Sequence, residues 1–147
     1  MQKIVGLILM ATSLGVLFAQ ESAPALGDRA VTEPQESAKL VVSLTSEPLG
    51  KPVSKFYSDT PNIYARWEGH HLRDQAKIRA VWIAENIGDV APPNYTIDEA
   101  TATAPAADAR GVFVLSRPEG GWAPGDYRVE FSVDDDLIET VKLKISK

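Results

Sequence analysis

The sequence predicts an all-β fold, a single antiparallel β-sandwich, and three observations carry that expectation. Short segments of alternating polarity recur between turn residues, the spacing of strands rather than of helices. One of them, residues 77–85, is apolar on both faces, as a strand in the interior of a sheet must be. The last two alternate cleanly on either side of Asp134, Asp135 and Asp136, a hairpin pattern. The chain contains no internal repeat and no heptad.

The elements follow in order. Lys3 and a nearly unbroken apolar run from Ile4 to Phe18, closed by Ala19, have the three parts of a secretory signal, with cleavage after Ala19. The run is shorter than the roughly 20 apolar residues a spanning helix needs. Residues 20–38 lack aromatic side chains and carry Pro24 and Pro34, so they read as a flexible lead that buries too little apolar surface to order itself. The sandwich is then expected over residues 39–147.

Residues 40–44 make a first strand. Residues 62–68 place Ile63, Ala65 and Trp67 on one face, Tyr64 and Arg66 on the other. In residues 77–85, Ile78, Ala80, Trp82 and Ala84 share a face, opposite Val81 and Ile83. Pro92-Pro93 interrupts pairing, so residues 95–97 are expected as a short edge strand. Residues 98–110, rich in Ala and Thr, read as a long loop or a weak helical turn. Residues 112–115 form another strand. In the closing hairpin Tyr127, Val129, Phe131, Val133, Val141, Leu143 and Ile145 point inward.

Composition restricts function. The 147 residues carry 44% hydrophobic and 24% charged side chains, with three Trp, four Tyr and four Phe, enough for one core. Formal net charge is −5, and −6 once the segment carrying Lys3 is removed, which disfavours nucleic acid as a partner. The absence of cysteine excludes disulfides, thiolate metal sites and thiol catalysis.

Gly125-Asp126-Tyr127-Arg128-Val129 resembles the tyrosine-corner segment of immunoglobulin-like domains. Trp82, on a central strand well upstream, is similar to the core tryptophan of such folds. The stretch 62–145 looks like the immunoglobulin-like or fibronectin-type-III-like modules of exported bacterial proteins. That resemblance implies a cysteine-free immunoglobulin-like sandwich, with the Tyr127 hydroxyl bonded back to the chain. It implies no activity, because such sandwiches carry many unrelated functions.

Several clusters of polar or aromatic residues offer candidate sites. His70 and His71, with Glu68, offer metal-ligand chemistry, but adjacent side chains on an extended chain diverge, and a polar loop is expected there. Asp134 to Asp136 lack the spacing of a calcium loop and read as an acidic hairpin tip. Asp98-Glu99 are neighbouring carboxylates rather than a pair across a cleft, and Gly120-Gly121 is turn material. No metal and no cofactor are expected. Trp67 and Trp82 belong to strand patterns and to the core. Trp122, in a Gly/Pro-rich turn, is the leading exposed aromatic, with packing over the sandwich end as the equal alternative, and Tyr95 and Phe56-Tyr57 are rim aromatics, so Trp122 and Tyr95 are the candidate ligand-binding residues. Asn94-Tyr95-Thr96 matches a glycosylation sequon.

The expected function is therefore a non-enzymatic interaction module, exported to the periplasm or exterior and not membrane-spanning after processing, with a protein or glycan partner in the envelope. Carbohydrate binding through exposed aromatics is one alternative. An enzyme with an unrecognised carboxylate site is the other.

Overall fold

The computed structural model describes residues 36–147. The signal segment, and the lead up to residue 35, lie outside the described residues. Eight strands follow: β1 Lys39–Thr45, β2 Lys55–Tyr57, β3 Asn62–His70, β4 Lys77–Asn86, β5 Tyr95–Thr103, β6 Ala109–Ser116, β7 Gly125–Val133 and β8 Asp136–Ser146. A single 3₁₀ turn, Gly88–Val90, interrupts them. Among the described residues no helix is long and apolar enough to cross a membrane.

The strands form two sheets packed face to face, the expected sandwich. A three-stranded sheet has the order β1-β3-β6, and a five-stranded sheet the order β2-β8-β7-β4-β5. β4 lies between β7 and β5, which is why it is apolar on both faces: Trp82 and Ile83 point opposite ways and are both buried. The inner faces meet at Phe113 and Phe131, one from each sheet, with ring centroids 6.0 Å apart. Trp67 stacks on Phe113 at 6.5 Å.

Gly111 explains how Trp67 fits. The two residues are cross-strand partners, and a Cβ at Gly111 would stand 2.7 Å from the indole, so only glycine lets the ring lie across β6. The indole Nε1 is buried there without a hydrogen-bond partner.

Four readings of the sequence need correction. Residues 98–103 are strand, not loop: β5 runs nine residues, with Ala100 and Ala102 half-buried opposite Ala80 and Ile78 while Thr101 and Thr103 face water. Alanine is a weak strand former, so that alternation is quiet in the sequence and is settled by pairing with β4. β2 was not anticipated. Its Phe56 is 1% exposed and therefore core, not a rim aromatic. The sandwich is also not wholly antiparallel, because β2 crosses from the β1 side and pairs parallel to β8. Lastly, His70 ends β3 instead of lying in a loop, and His71 begins the turn with φ 57°.

The closing hairpin is as expected. Asp134 and Asp135 have φ of 49° and 75°, the two positive angles that a two-residue type I′ turn requires. Leu143 and Ile145 are buried and Val141 is half-buried.

Candidate functional site

One end of the sandwich carries a groove. β4 and β6 terminate there and β5 and β7 begin there, so the β4–β5 connection and the β6–β7 loop face each other across it. Its volume is about 390 Å³, and Ile87, Val90, Tyr95 and Ile97 line one side, Pro118 and Trp122 the other. Tyr127, Ala84 and Tyr95 are successive cross-strand partners, so two tyrosines flank one small side chain on the sheet.

The β6–β7 loop is held by its neighbours. Gly121 N–H donates to the Pro118 carbonyl at 2.9 Å, and Trp122 N–H to the Ser58 carbonyl at 2.9 Å. The Trp122 indole Nε1 donates to the Thr60 carbonyl at 2.7 Å. Trp122 meets Tyr127 edge to face, at 6.4 Å. The Tyr127 hydroxyl donates to the Ala123 carbonyl four residues upstream, the bond of a tyrosine corner. Burial pushes the Tyr127 hydroxyl pKa up, so the phenol stays protonated.

Trp122 is thus not an exposed platform. It is 3% exposed: of the two readings the sequence leaves open, an exposed ring or a ring packed over the end of the sandwich, the structure shows the second, with Thr60 accepting its N–H. It remains part of the groove wall. Tyr95, at 51% exposure, is accessible, as is Val90 at 71%. The two residues singled out from sequence therefore do share one groove, but only Tyr95 offers an open ring to a ligand.

A polar clamp lies next to this rim and was not legible in sequence. Arg128 Nη1 donates to Asn94 Oδ1 at 2.7 Å and to Glu85 at 3.1 Å, and its Nε to Glu130 at 2.8 Å. Asn94, at φ 58°, also donates its backbone N–H to the Glu85 carbonyl at 3.1 Å. The hydrogen bond to Glu130 raises the Arg128 pKa further, partial burial opposes it, and Glu85 reinforces it. Arg128 thereby fixes the residue before Tyr95. The same bond occupies the carboxamide oxygen of the Asn94 sequon.

The remaining candidates are tied to other side chains. His70 lies between Glu68, at 3.4 Å, and Asp108, at 3.0 Å, on opposite ring nitrogens. Asp134 accepts the Lys77 N–H at 2.9 Å and pairs with Arg73, so the acidic tip secures the start of β4. Glu99 binds Arg79 at 2.8 Å, and Asp98 accepts the Glu99 N–H. Among the described residues no three His, Asp or Glu side chains converge as a metal would need.

No family model matches the chain, and no curated protein matches it. Solved structures do resemble it at low identity. A β-glucosidase from Erythrobacter marinus superposes with a TM-score of 0.50 at 12% identity, over 75% of this chain and 15% of that one. A β-glucosidase from Listeria innocua gives 0.47 at 11% identity, over 75% of this chain and 16% of that one. The alkylpurine DNA glycosylase AlkC of Pseudomonas fluorescens gives 0.47 at 9% identity, over 75% of this chain and 30% of that one. This chain spans a small fraction of each of those proteins, and at such identities the likeness concerns the fold alone.

Proposed function

We propose that this chain is an exported, non-enzymatic interaction module of immunoglobulin-like type, which holds a protein partner of the cell envelope or exterior in the groove at Tyr95. The observation that carries the reading is the groove itself: a concave apolar surface rimmed by one exposed aromatic and backed by a buried tryptophan. For the immunoglobulin-like assignment, support comes from the Tyr127–Ala123 corner and from Trp82 on an interior strand. Export rests on the signal pattern of residues 1–19.

A protein segment suits the groove better than a glycan. Its lining is chiefly aliphatic, proline and aromatic, with Glu119 the one carboxylate among the lining residues. A sugar needs several hydrogen-bonding groups to replace the water on its hydroxyls, whereas an apolar or proline-bearing peptide does not. The same composition argues against an enzyme, since the Tyr127 hydroxyl is committed to Ala123 and Glu119 has no partner acid or base in the wall.

The test compares wild type with Tyr95→Ala in capture from envelope extract and on a glycan array. We expect a captured protein whose recovery falls about tenfold in the variant, and a blank array. Capture unaffected by Tyr95→Ala overturns the groove. A sugar bound by wild type and lost in the variant replaces the protein partner with a glycan. Mass spectrometry of native material should find an N-terminus near residue 20.

A further inference from the structure

The outer face of the three-stranded sheet is unusual for a surface exposed to water. An antiparallel sheet with one solvated face alternates apolar inward and polar outward. Here the outward positions include Val41, Val112 and Val114, exposed at 62%, 50% and 49%. The opposite face of the sandwich instead carries mutually paired charges, Arg79 with Glu99 and Arg128 with Glu85 and Glu130. Over the three-stranded face the loop after β1 brings Pro48 and Leu49, the latter 89% exposed, and encloses a hollow of about 480 Å³. None of the residues lining it lines the groove at Tyr95.

Arg66 occupies the middle of this hollow, with Ser43 and Val112 as its cross-strand neighbours. Every other arginine among the described residues has a partner: Arg73 binds Asp134, Arg79 Glu99, Arg110 Glu68, Arg128 Glu85, and Arg117 the Asp59 carbonyl. Arg66 has none among the described residues. The nearby carboxylate, Glu68, is already held by Arg110 at 3.0 Å and His70 at 3.4 Å. Among the described residues, then, a guanidinium without a partner stands on this face between Ser43 and Val112.

We propose that this hollow is a second binding site, for an extended acidic peptide segment that sets a carboxylate on Arg66 and flanking apolar residues against Val41, Leu49 and Val112. A planar guanidinium takes a carboxylate in a two-pronged hydrogen bond, and the exposed valines beside it offer apolar contact to the residues on either side of that carboxylate. An anionic bilayer fits less well: surface binding to lipid uses clusters of about 4–8 basic residues, and among the described residues this hollow is lined by two, Arg66 and the Glu68-bound Arg110.

The experiment is an NMR titration of the isotopically labelled protein with a blocked Val–Glu–Val peptide and its Val–Gln–Val counterpart. We expect saturable shifts at the amides of Val41, Arg66 and Val112, with affinity about tenfold weaker for the glutamine peptide. Arg66→Gln should weaken the glutamate peptide to the same level, and Arg66→Lys should retain part of the affinity. Val112→Asp, which leaves Arg66 in place and adds a like charge to the ligand, should weaken it as well. Spectra that are otherwise unchanged establish that each variant is folded. Equal affinity for both peptides, absence of saturable shifts, or shifts confined to Tyr95 and Ile97 would overturn the proposal. So would cosedimentation with phosphatidylserine vesicles, lost in Arg66→Gln, when the peptide produces no shift.

Discussion

Trp122 and Tyr127 stand edge to face, planes 87° apart, and each directs its one polar atom to a backbone carbonyl, Thr60 for the indole and Ala123 for the phenol. The pair closes one end of the sandwich while leaving no buried donor unanswered. Both residues belong to one short stretch of sequence, yet Thr60 lies 62 residues from Trp122, so the arrangement ties the β6–β7 loop to the turn before β3.

Trp122→Phe should keep an aromatic ring, smaller than the indole, and lose the N–H. It leaves the Thr60 carbonyl unpaired, and we expect a loss of about 1–3 kcal/mol in urea unfolding. Trp122→Ala should cost about 3–5 kcal/mol, as a large buried truncation does. A change near zero for Trp122→Ala would mean that the ring is not buried in solution.

Tyr127→Phe should cost about 0.5–1.5 kcal/mol at neutral pH. Its pH dependence has a definite sign. Burial raises the folded-state pKa above the ordinary value of 10.0, so above that pH the unfolded chain releases a proton that the folded chain keeps. The contribution is complete below pH 10 and is lost as pH rises through the folded pKa. Unfolding of wild type and Tyr127→Phe between pH 8 and about pH 11 isolates it, because the two proteins differ only in that hydroxyl. The two proteins should converge as pH rises; parallel curves would contradict the raised pKa.

Gly111→Ala puts a methyl group 2.7 Å from the Trp67 ring. The indole must move, and we expect a loss of about 1–3 kcal/mol from overpacking, with a change in tryptophan emission. Alanine tolerated without either effect would show that Trp67 does not lie across β6.

Arg128→Met removes the clamp beside Tyr95. Glu85 and Glu130, 22% and 29% exposed, would lose their shared partner, at a cost of about 1–2 kcal/mol. Hydrogen exchange should rise at Asn94 and Tyr95 before it rises in β7. Uniform protection across both would assign Arg128 a role in stability alone.

Much of the sandwich was legible in the sequence because its interior strands bury large side chains at period two. Trp82 on β4 and Phe131 on β7 announce their faces directly. β5 and β2 did not, for opposite reasons: Ala100 and Ala102 are too small to mark a face, and Phe56 sits in a strand of three residues, too short for any periodicity. At the candidate site, Tyr95 and Trp122 could be chosen for their chemistry. That Trp122 turns inward depends on an acceptor 62 residues away, and that Arg128 governs Asn94 depends on register across three strands. Neither relation has a local signature.

The parallel pairing of β2 with β8 has a consequence for folding. Phe56 is matched to Ile145, and Ser58 N–H donates to the Ser146 carbonyl at 2.8 Å, so β2 finds its one neighbour in the sheet in a strand distant along the chain. The five-stranded sheet is complete only once that edge closes a loop of almost ninety residues, which places this protein among the slow-folding, non-local topologies.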